Sequence, residues 1–103
     1  AMLRGACVNH GGRAVTLTAP NGIAQQNVIK GALKSAGLQP NDVDFLEAHG
    51  TGTALGDPIE VAALKAVFAK SRRDAGVSPL AIGAVKTHIG HLEGAAGMAG
   101  VLK

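Results

Sequence analysis

Short apolar runs alternate with stretches of helical periodicity along this 103-residue chain, and that alternation limits the fold more than any other feature. The runs at residues 3–8, 43–48 and 80–85 have the length of strands and are too brief for helices. Between the first two, Ala24, Val28, Ile29, Ala32, Leu33 and Ala36 recur at helical spacing, with Gln25, Gln26, Lys30 and Lys34 on other faces. Gly37 stands where a helix C-terminal glycine belongs. After the second run, Asp57 is placed to cap a helix with Pro58 at its first position, running to about residue 70. That helix is apolar on most sides, which predicts burial. Residues 91–103 carry Gly94, Gly97 and Gly100 among alanines, a poor composition for a lone helix but one that permits very close packing. A buried helix is expected there.

Strand, helix, strand, helix, strand, helix is the order of an α/β fold with a parallel sheet. Ligands of such sheets collect at the carboxyl ends of the strands. His49, His88 and His91 all follow strand candidates, so they should converge on one edge. Turns are marked by Gly11-Gly12, Pro20-Asn21-Gly22 and Pro40-Asn41-Asp42, and the long loop at residues 9–22 has the length of a functional one.

Composition excludes several classes. Hydrophobic residues make up 47% of the chain, but with no Trp or Tyr and 15 glycines the core area is small, so the apolar faces are expected to serve a larger body. No apolar stretch approaches the roughly 18 residues of a membrane span. The net charge of +3 is scattered apart from Lys70, Arg72 and Arg73, a cluster expected in a solvated loop. Without interleaved aromatics it does not suit nucleic acid. The single cysteine, Cys7, excludes an internal disulfide and fits a reducing, cytoplasmic compartment. It lacks basic or helix-start surroundings, so it reads as a buried small hydrophobe rather than a nucleophile. The first residues have no signal-peptide pattern.

The chemistry concentrates in two segments. His49-Gly50-Thr51-Gly52-Thr53 puts an imidazole beside backbone free to approach a ligand and beside two hydroxyls, which suits a polar, extended ligand. The glycines equally permit a tight strand-to-helix turn in which His49 bonds a carbonyl. Leu55 stands where a dinucleotide fingerprint needs its third glycine, and no Gly-Lys-Ser/Thr follows, so phosphate cradling is disfavoured. In Lys86-Thr87-His88-Ile89-Gly90-His91, the histidines and nearby Glu93 are too few for a zinc site. His91 at a helix start favours a neutral imidazole able to donate to an oxyanion. Lys86, partly buried at a strand end, requires a carboxylate, and Glu60, Asp57 and Glu93 are the candidates. Whether that pair is structural or tunes the histidines stays open.

The segments Glu47-Ala48-His49-Gly50-Thr51-Gly52-Thr53-Ala54-Leu55-Gly56-Asp57-Pro58-Ile59-Glu60 and Gly83-Ala84-Val85-Lys86-Thr87-His88-Ile89-Gly90-His91-Leu92-Glu93-Gly94-Ala95-Ala96-Gly97 resemble the β-ketoacyl synthase (ketosynthase) domains of type I modular polyketide synthases. The resemblance extends through residues 4–22 and covers essentially the whole chain. It implies part of a thiolase-like fold, in the C-terminal half of the domain. It also implies decarboxylative Claisen condensation of acyl and malonyl-type thioesters in polyketide or fatty-acid chain elongation.

Under the same resemblance His49 and His91 match catalytic histidines, Lys86 a lysine supporting the second, and Glu60 an acidic residue of the same network. Thr51 and Thr53 match threonines that hold the carrier's pantetheine arm. The implied partners are an acyl carrier protein and the rest of the synthase, with a homodimer for the intact domain. No cofactor or metal is implied for this region, since substrates ride on phosphopantetheine. The family's nucleophilic cysteine and its last glycine-rich loop fall outside residues 1–103, and Cys7 does not align with that nucleophile, so the chain alone is expected to be inactive. A decarboxylating or starter-loading ketosynthase without the cysteine, and a non-catalytic carrier-binding module, are the alternatives. His88 replaces the family's usual asparagine, and Gly11 lies where an acidic residue is usual.

Overall fold

The computed structural model describes residues 1–12 and 20–103. Residues 13–19, part of the expected 9–22 loop, lie outside that description. Helix α1 (Gly22–Ala36) begins where Asn21 Oδ1 accepts the Ile23 and Ala24 N–H groups, and it stops at Gly37, whose φ of 67° is left-handed. A 3₁₀ turn, Pro40–Asp42, leads into strand β1 (Phe45–Glu47). Helix α2 (Gly56–Ala75) returns the chain to strand β2 (Ala81–Gly83), followed by a short helix α3 (Lys86–Ile89). A second 3₁₀ turn, Glu93–Ala95, opens directly into α4 (Ala96–Leu102).

β1 and β2 pair in parallel, Leu46 opposite Ile82, as the alternating order predicts. Period-two alternation then assigns the faces. Leu46 joins Leu64, Val67 and Phe68 of α2, with Ile29 and Leu33 of α1, in the core. Its neighbours Phe45 and Glu47 meet α4: a Cβ on Gly100 would come within 3.4 Å of Glu47 Cγ, and the Lys103 ammonium lies 5.7 Å from the Phe45 ring centroid. The result is α1 and α2 on one side of the sheet and α4 on the other.

Four expectations are corrected. Residues 3–8 form no strand: they run along α1 in the opposite direction, with Arg4 donating to Ala36 O and Asn9 Nδ2 to Ala24 O. A strand needs a neighbouring ladder, and among the described residues the sheet consists of β1 and β2. Cys7, packed with its Sγ against Gly31, is consequently exposed rather than buried. α2 begins before Asp57 and continues to Ala75, and only its stripe of Ala63, Leu64, Val67, Phe68 and Arg72 is buried; Val61 is exposed. α4 buries only Ala96, because a single sheet face covers it, leaving Met98, Val101 and Leu102 open.

The basic cluster is also not a solvated loop. It occupies the last turns of α2, where Arg72 is 4% exposed and donates through Nε to Ser78 O at 2.8 Å and through Nη1 to Val43 O. One guanidinium therefore pins the approaches to both strands against α2. Such burial is tolerable because carbonyl oxygens replace the lost water.

Candidate active site

β1 delivers His49 to the carboxyl edge of the sheet, and the loop after it folds back because Gly50 and Gly52 adopt φ of 50° and 75°. At Gly50 the requirement is doubled: a Cβ there would stand 2.6 Å from Ala84 Cβ. The absence of a side chain lets the His49 loop touch the turn that begins α3. Glu60, one turn into α2, accepts the N–H of His49 at 2.7 Å and of Gly50 at 3.0 Å. Asp57 Oδ1 accepts the Gly52 N–H at 3.1 Å. Thus Asp57 holds the loop rather than capping the helix, and Thr53 Oγ1 takes the Gly56 N–H at 3.0 Å.

β2 delivers the second segment. Thr87 Oγ1 donates to Ala84 O at 2.7 Å, and the Gly90 N–H closes α3 onto Lys86 O at 3.0 Å. His88 takes part through its backbone N–H, which reaches Val85 O, while its exposed side chain makes no bond among the described residues. The turn therefore holds through backbone bonds and the Thr87 hydroxyl, without the His88 side chain. Contrary to expectation, His91 does not begin a helix. It precedes the 3₁₀ turn, and its Nδ1 accepts the Glu93 N–H at 2.9 Å. With Nδ1 occupied as an acceptor, the ring proton sits on Nε2, which is left as a donor.

The two rings meet edge to face, their centroids 5.8 Å apart and their planes at 89°. His49, Thr51, Thr53 and Glu60 share a cavity of about 520 Å³ with Gln25 and Leu55. Thr51 Oγ1 and Thr53 Oγ1 lie 3.3 Å apart. On its other side His49 borders a cavity of about 250 Å³ lined by Glu47, Lys86 and Ala96. Lys86 makes no ion pair with Glu60, Asp57 or Glu93. The carboxylate that feels it is Glu47, held below the usual range mainly by Lys103, against the opposing effect of burial, with help from the Val85 N–H and the charge of Lys86.

Glu47 and Gln25 escaped the sequence reading. The signal for Glu47 was available: it shares Phe45's parity in β1, a charge on a face that had to be covered. Gln25 carried no such mark on the polar side of α1. Cys7 lines neither cavity beside His49. Among the described residues no three His, Cys, Asp or Glu side chains are grouped as metal ligands.

Two imidazoles at the ends of parallel strands, beside a hydroxyl-lined cavity, define a site that can stabilise negative charge developing on an extended polar substrate. The family model described as "Beta-ketoacyl synthase, C-terminal domain" matches residues 1–103. The PKS-NRPS hybrid synthetase ATPKS of Aspergillus niger is 52% identical over all of this chain and 6% of its own length. Polyketide synthase GfsA of Streptomyces halstedii is 54% identical over all of this chain and 1% of its own. The oxazolomycin ketosynthase domain OzmH KS8 of Streptomyces albus JA3453 superposes with a TM-score of 0.85 at 40% identity, over 97% of this chain and 26% of that one. The ketosynthase from module 6 of the bacillaene synthase of Bacillus subtilis 168 gives 0.86 at 38%, over 96% and 17%.

This chain belongs to the β-ketoacyl synthase C-terminal domain family, with the thiolase-like fold of polyketide synthase ketosynthases. It spans about a quarter or less of the solved chains and a few per cent of the curated synthases it matches. The matched stretch is a small part of each of those curated synthases. No helix among the described residues is long and apolar enough to cross a membrane.

Proposed function

We propose that this chain supplies the histidine half of a ketosynthase active site for decarboxylative condensation on a polyketide or fatty-acid synthase of the cytoplasm. The observation carrying this reading is the edge-to-face pair of His49 and His91, 5.8 Å between centroids, brought together from two strand ends. A malonyl-type thioester loses its carboxylate as carbon dioxide, and the C–C bonding pair becomes an enolate with charge on the thioester oxygen. Imidazole N–H donors aimed at that oxygen stabilise the charge as it forms. His91 Nε2 is the assigned donor, because Glu93 N–H occupies Nδ1. The enolate carbon then attacks an acyl thioester on a cysteine, the new C–C bond forms, and the thiolate leaves.

Lys86 acts from the floor of the same site as a positive charge, and Glu60 fixes the backbone at His49. Thr51 and Thr53 offer hydroxyls to the pantetheine arm of an acyl carrier protein, and the intact domain works as a homodimer. The nucleophilic cysteine belongs to a part of the domain beyond residues 1–103, since Cys7 sits against α1 rather than at the histidines. By itself this chain then does not condense thioesters. The test is release of carbon dioxide from malonyl-pantetheine by a complete ketosynthase domain carrying this sequence. His91→Ala and His49→Ala should each lower the rate at least about a hundredfold while leaving acyl loading of the cysteine in place. Unchanged decarboxylation in both variants would sink the reading.

A further inference from the structure

Glu47 feels two ammonium groups and is paired with only one of them. Its side chain is 16% exposed; Oε1 accepts the Val85 N–H, and Oε2 lies 3.0 Å from Nζ of Lys103, just past the end of α4. Oε2 is buried and accepts no aligned hydrogen bond, so the Lys103 contact is one of charge. Lys103 is also fixed from the sheet side: its ammonium lies over the Phe45 ring, and a Cβ on Gly83 would stand 2.9 Å from Nζ. Lys86 follows Val85 in the chain, is half-buried, and lines the cavity of about 250 Å³ together with Glu47 and His49. Lys103 is the main influence holding the Glu47 carboxyl down, and Lys86 is the weakest. Among the described residues Lys86 forms no ion pair. A carboxylate this far from solvent requires a counter-charge, so without Lys103 the other ammonium acting on Glu47 is drawn to it.

We propose that Lys103 is a positioning residue for the ketosynthase reaction: by taking the charge of Glu47 it leaves Lys86 free to present its own charge to the cavity beside His49. The inference rests on the decarboxylation reading of that site. Glu47, Lys86 and Lys103 together carry one positive charge in excess. Removing Lys103 leaves none, and removing the Glu47 charge as well restores it. A cation already neutralised by a carboxylate at contact stabilises negative charge developing nearby far less than a free one does. Lys103 lines neither cavity beside His49, so its effect passes through Glu47 and not through substrate.

The test is steady-state decarboxylation of malonyl-pantetheine by a complete ketosynthase domain carrying this sequence, with acyl loading of the cysteine measured in parallel. Lys103→Met should lower kcat about tenfold and leave acyl loading within about twofold of the parent. Adding Glu47→Gln to Lys103→Met keeps an acceptor for the Val85 N–H and removes the charge, which should bring kcat back to within about threefold of the parent. A merely structural Lys103 predicts no recovery, because the second change removes what is left of the pair. A double variant no faster than Lys103→Met, or an equal loss of loading and decarboxylation in Lys103→Met, therefore overturns the proposal. If His49→Ala and His91→Ala lower the rate while Lys103→Met does not, the Lys103 inference is wrong and the decarboxylation reading stands. If the histidine variants leave the rate unchanged, the reading falls and the inference with it. Should Lys103→Met fail to fold, Lys103→Gln takes its place, keeping a hydrogen-bond donor for Glu47 without the charge; a folded Lys103→Gln domain with the parental rate overturns the proposal.

Discussion

Glu47 ties strand β1 to both flanks of the segment that carries Lys86 and His91: its carboxylate lies 3.0 Å from Lys103 Nζ and also accepts the Val85 N–H. His49 follows it in the chain by two residues, so the link bears on how the two imidazoles are spaced. Lys103 holds the Glu47 carboxyl below its ordinary value of 4.5. A carboxyl depressed by folding contributes stability that is fully present above its unfolded value and is lost as pH falls through its folded value. Glu47→Gln should therefore be less stable than the parent at neutral pH, and the difference should shrink as the pH drops below about 4.5. Thermal unfolding midpoints of the complete domain, taken from neutral to acid pH, check this. Parallel curves for parent and variant would remove Glu47 from the pH response.

Gly50 and Gly52 both have positive φ but differ in surroundings, which separates backbone strain from collision. A Cβ at Gly50 would strike Ala84, whereas one at Gly52 would meet nothing within 4 Å. Gly52→Ala should cost about 1–2 kcal/mol from the left-handed conformation alone. Gly50→Ala should cost more and should slow decarboxylation, since it pushes the His49 loop away from the turn before α3. Denaturant unfolding combined with the malonyl-pantetheine assay reads both effects. Equal losses in the two variants would mean that the Ala84 contact does not hold the site together.

The element order from α1 onward, the parallel pairing and the convergence of His49 with His91 were legible because they follow from local periodicity and from the place of ligands in α/β sheets. Expectations failed where a local pattern awaited a partner. Residues 3–8 have strand composition but lie along α1, and α4 has the small residues of a buried helix but one covered face. Asp57 looked like a cap because an acidic residue before Pro58 normally is one. The carboxylate instead bonds Gly52 across a loop whose fold-back depends on two positive φ angles. Glu47 was marked by its place on the covered face of β1, but its partners Val85 and Lys103 are brought to it only by tertiary structure.

Glu60 takes two adjacent N–H groups at the base of the His49 loop, one per carboxylate oxygen. Glu60→Gln retains one acceptor and turns the other position into a donor facing an N–H, so it is not a mild change. It should cost about 1–3 kcal/mol in stability and reduce decarboxylation by more than it reduces acyl loading, because His49 is displaced while the cysteine is elsewhere. Glu60→Ala leaves both N–H groups without a protein partner and should be worse on both counts. Matching the two rates variant by variant checks the ordering. A Glu60→Gln domain with parental decarboxylation would show that His49 is fixed by something other than this bond pair.

Arg72 supports the site from the far end of the strands. Its guanidinium is buried against Val43 O and Ser78 O, while its charge partner Asp44, 3.8 Å away, has a side chain 95% exposed. The carbonyl bonds, and not the ion pair, should carry the energy, because a solvated carboxylate contributes little. Arg72→Met keeps the length of the buried stem and leaves the Val43 and Ser78 carbonyl oxygens without the guanidinium, at a cost of about 1–3 kcal/mol. Asp44→Asn should change stability by less than about 0.5 kcal/mol. Denaturant midpoints for the two variants decide the matter: if Asp44→Asn is as damaging as Arg72→Met, the ion pair rather than carbonyl capping pins β1 and β2 to α2.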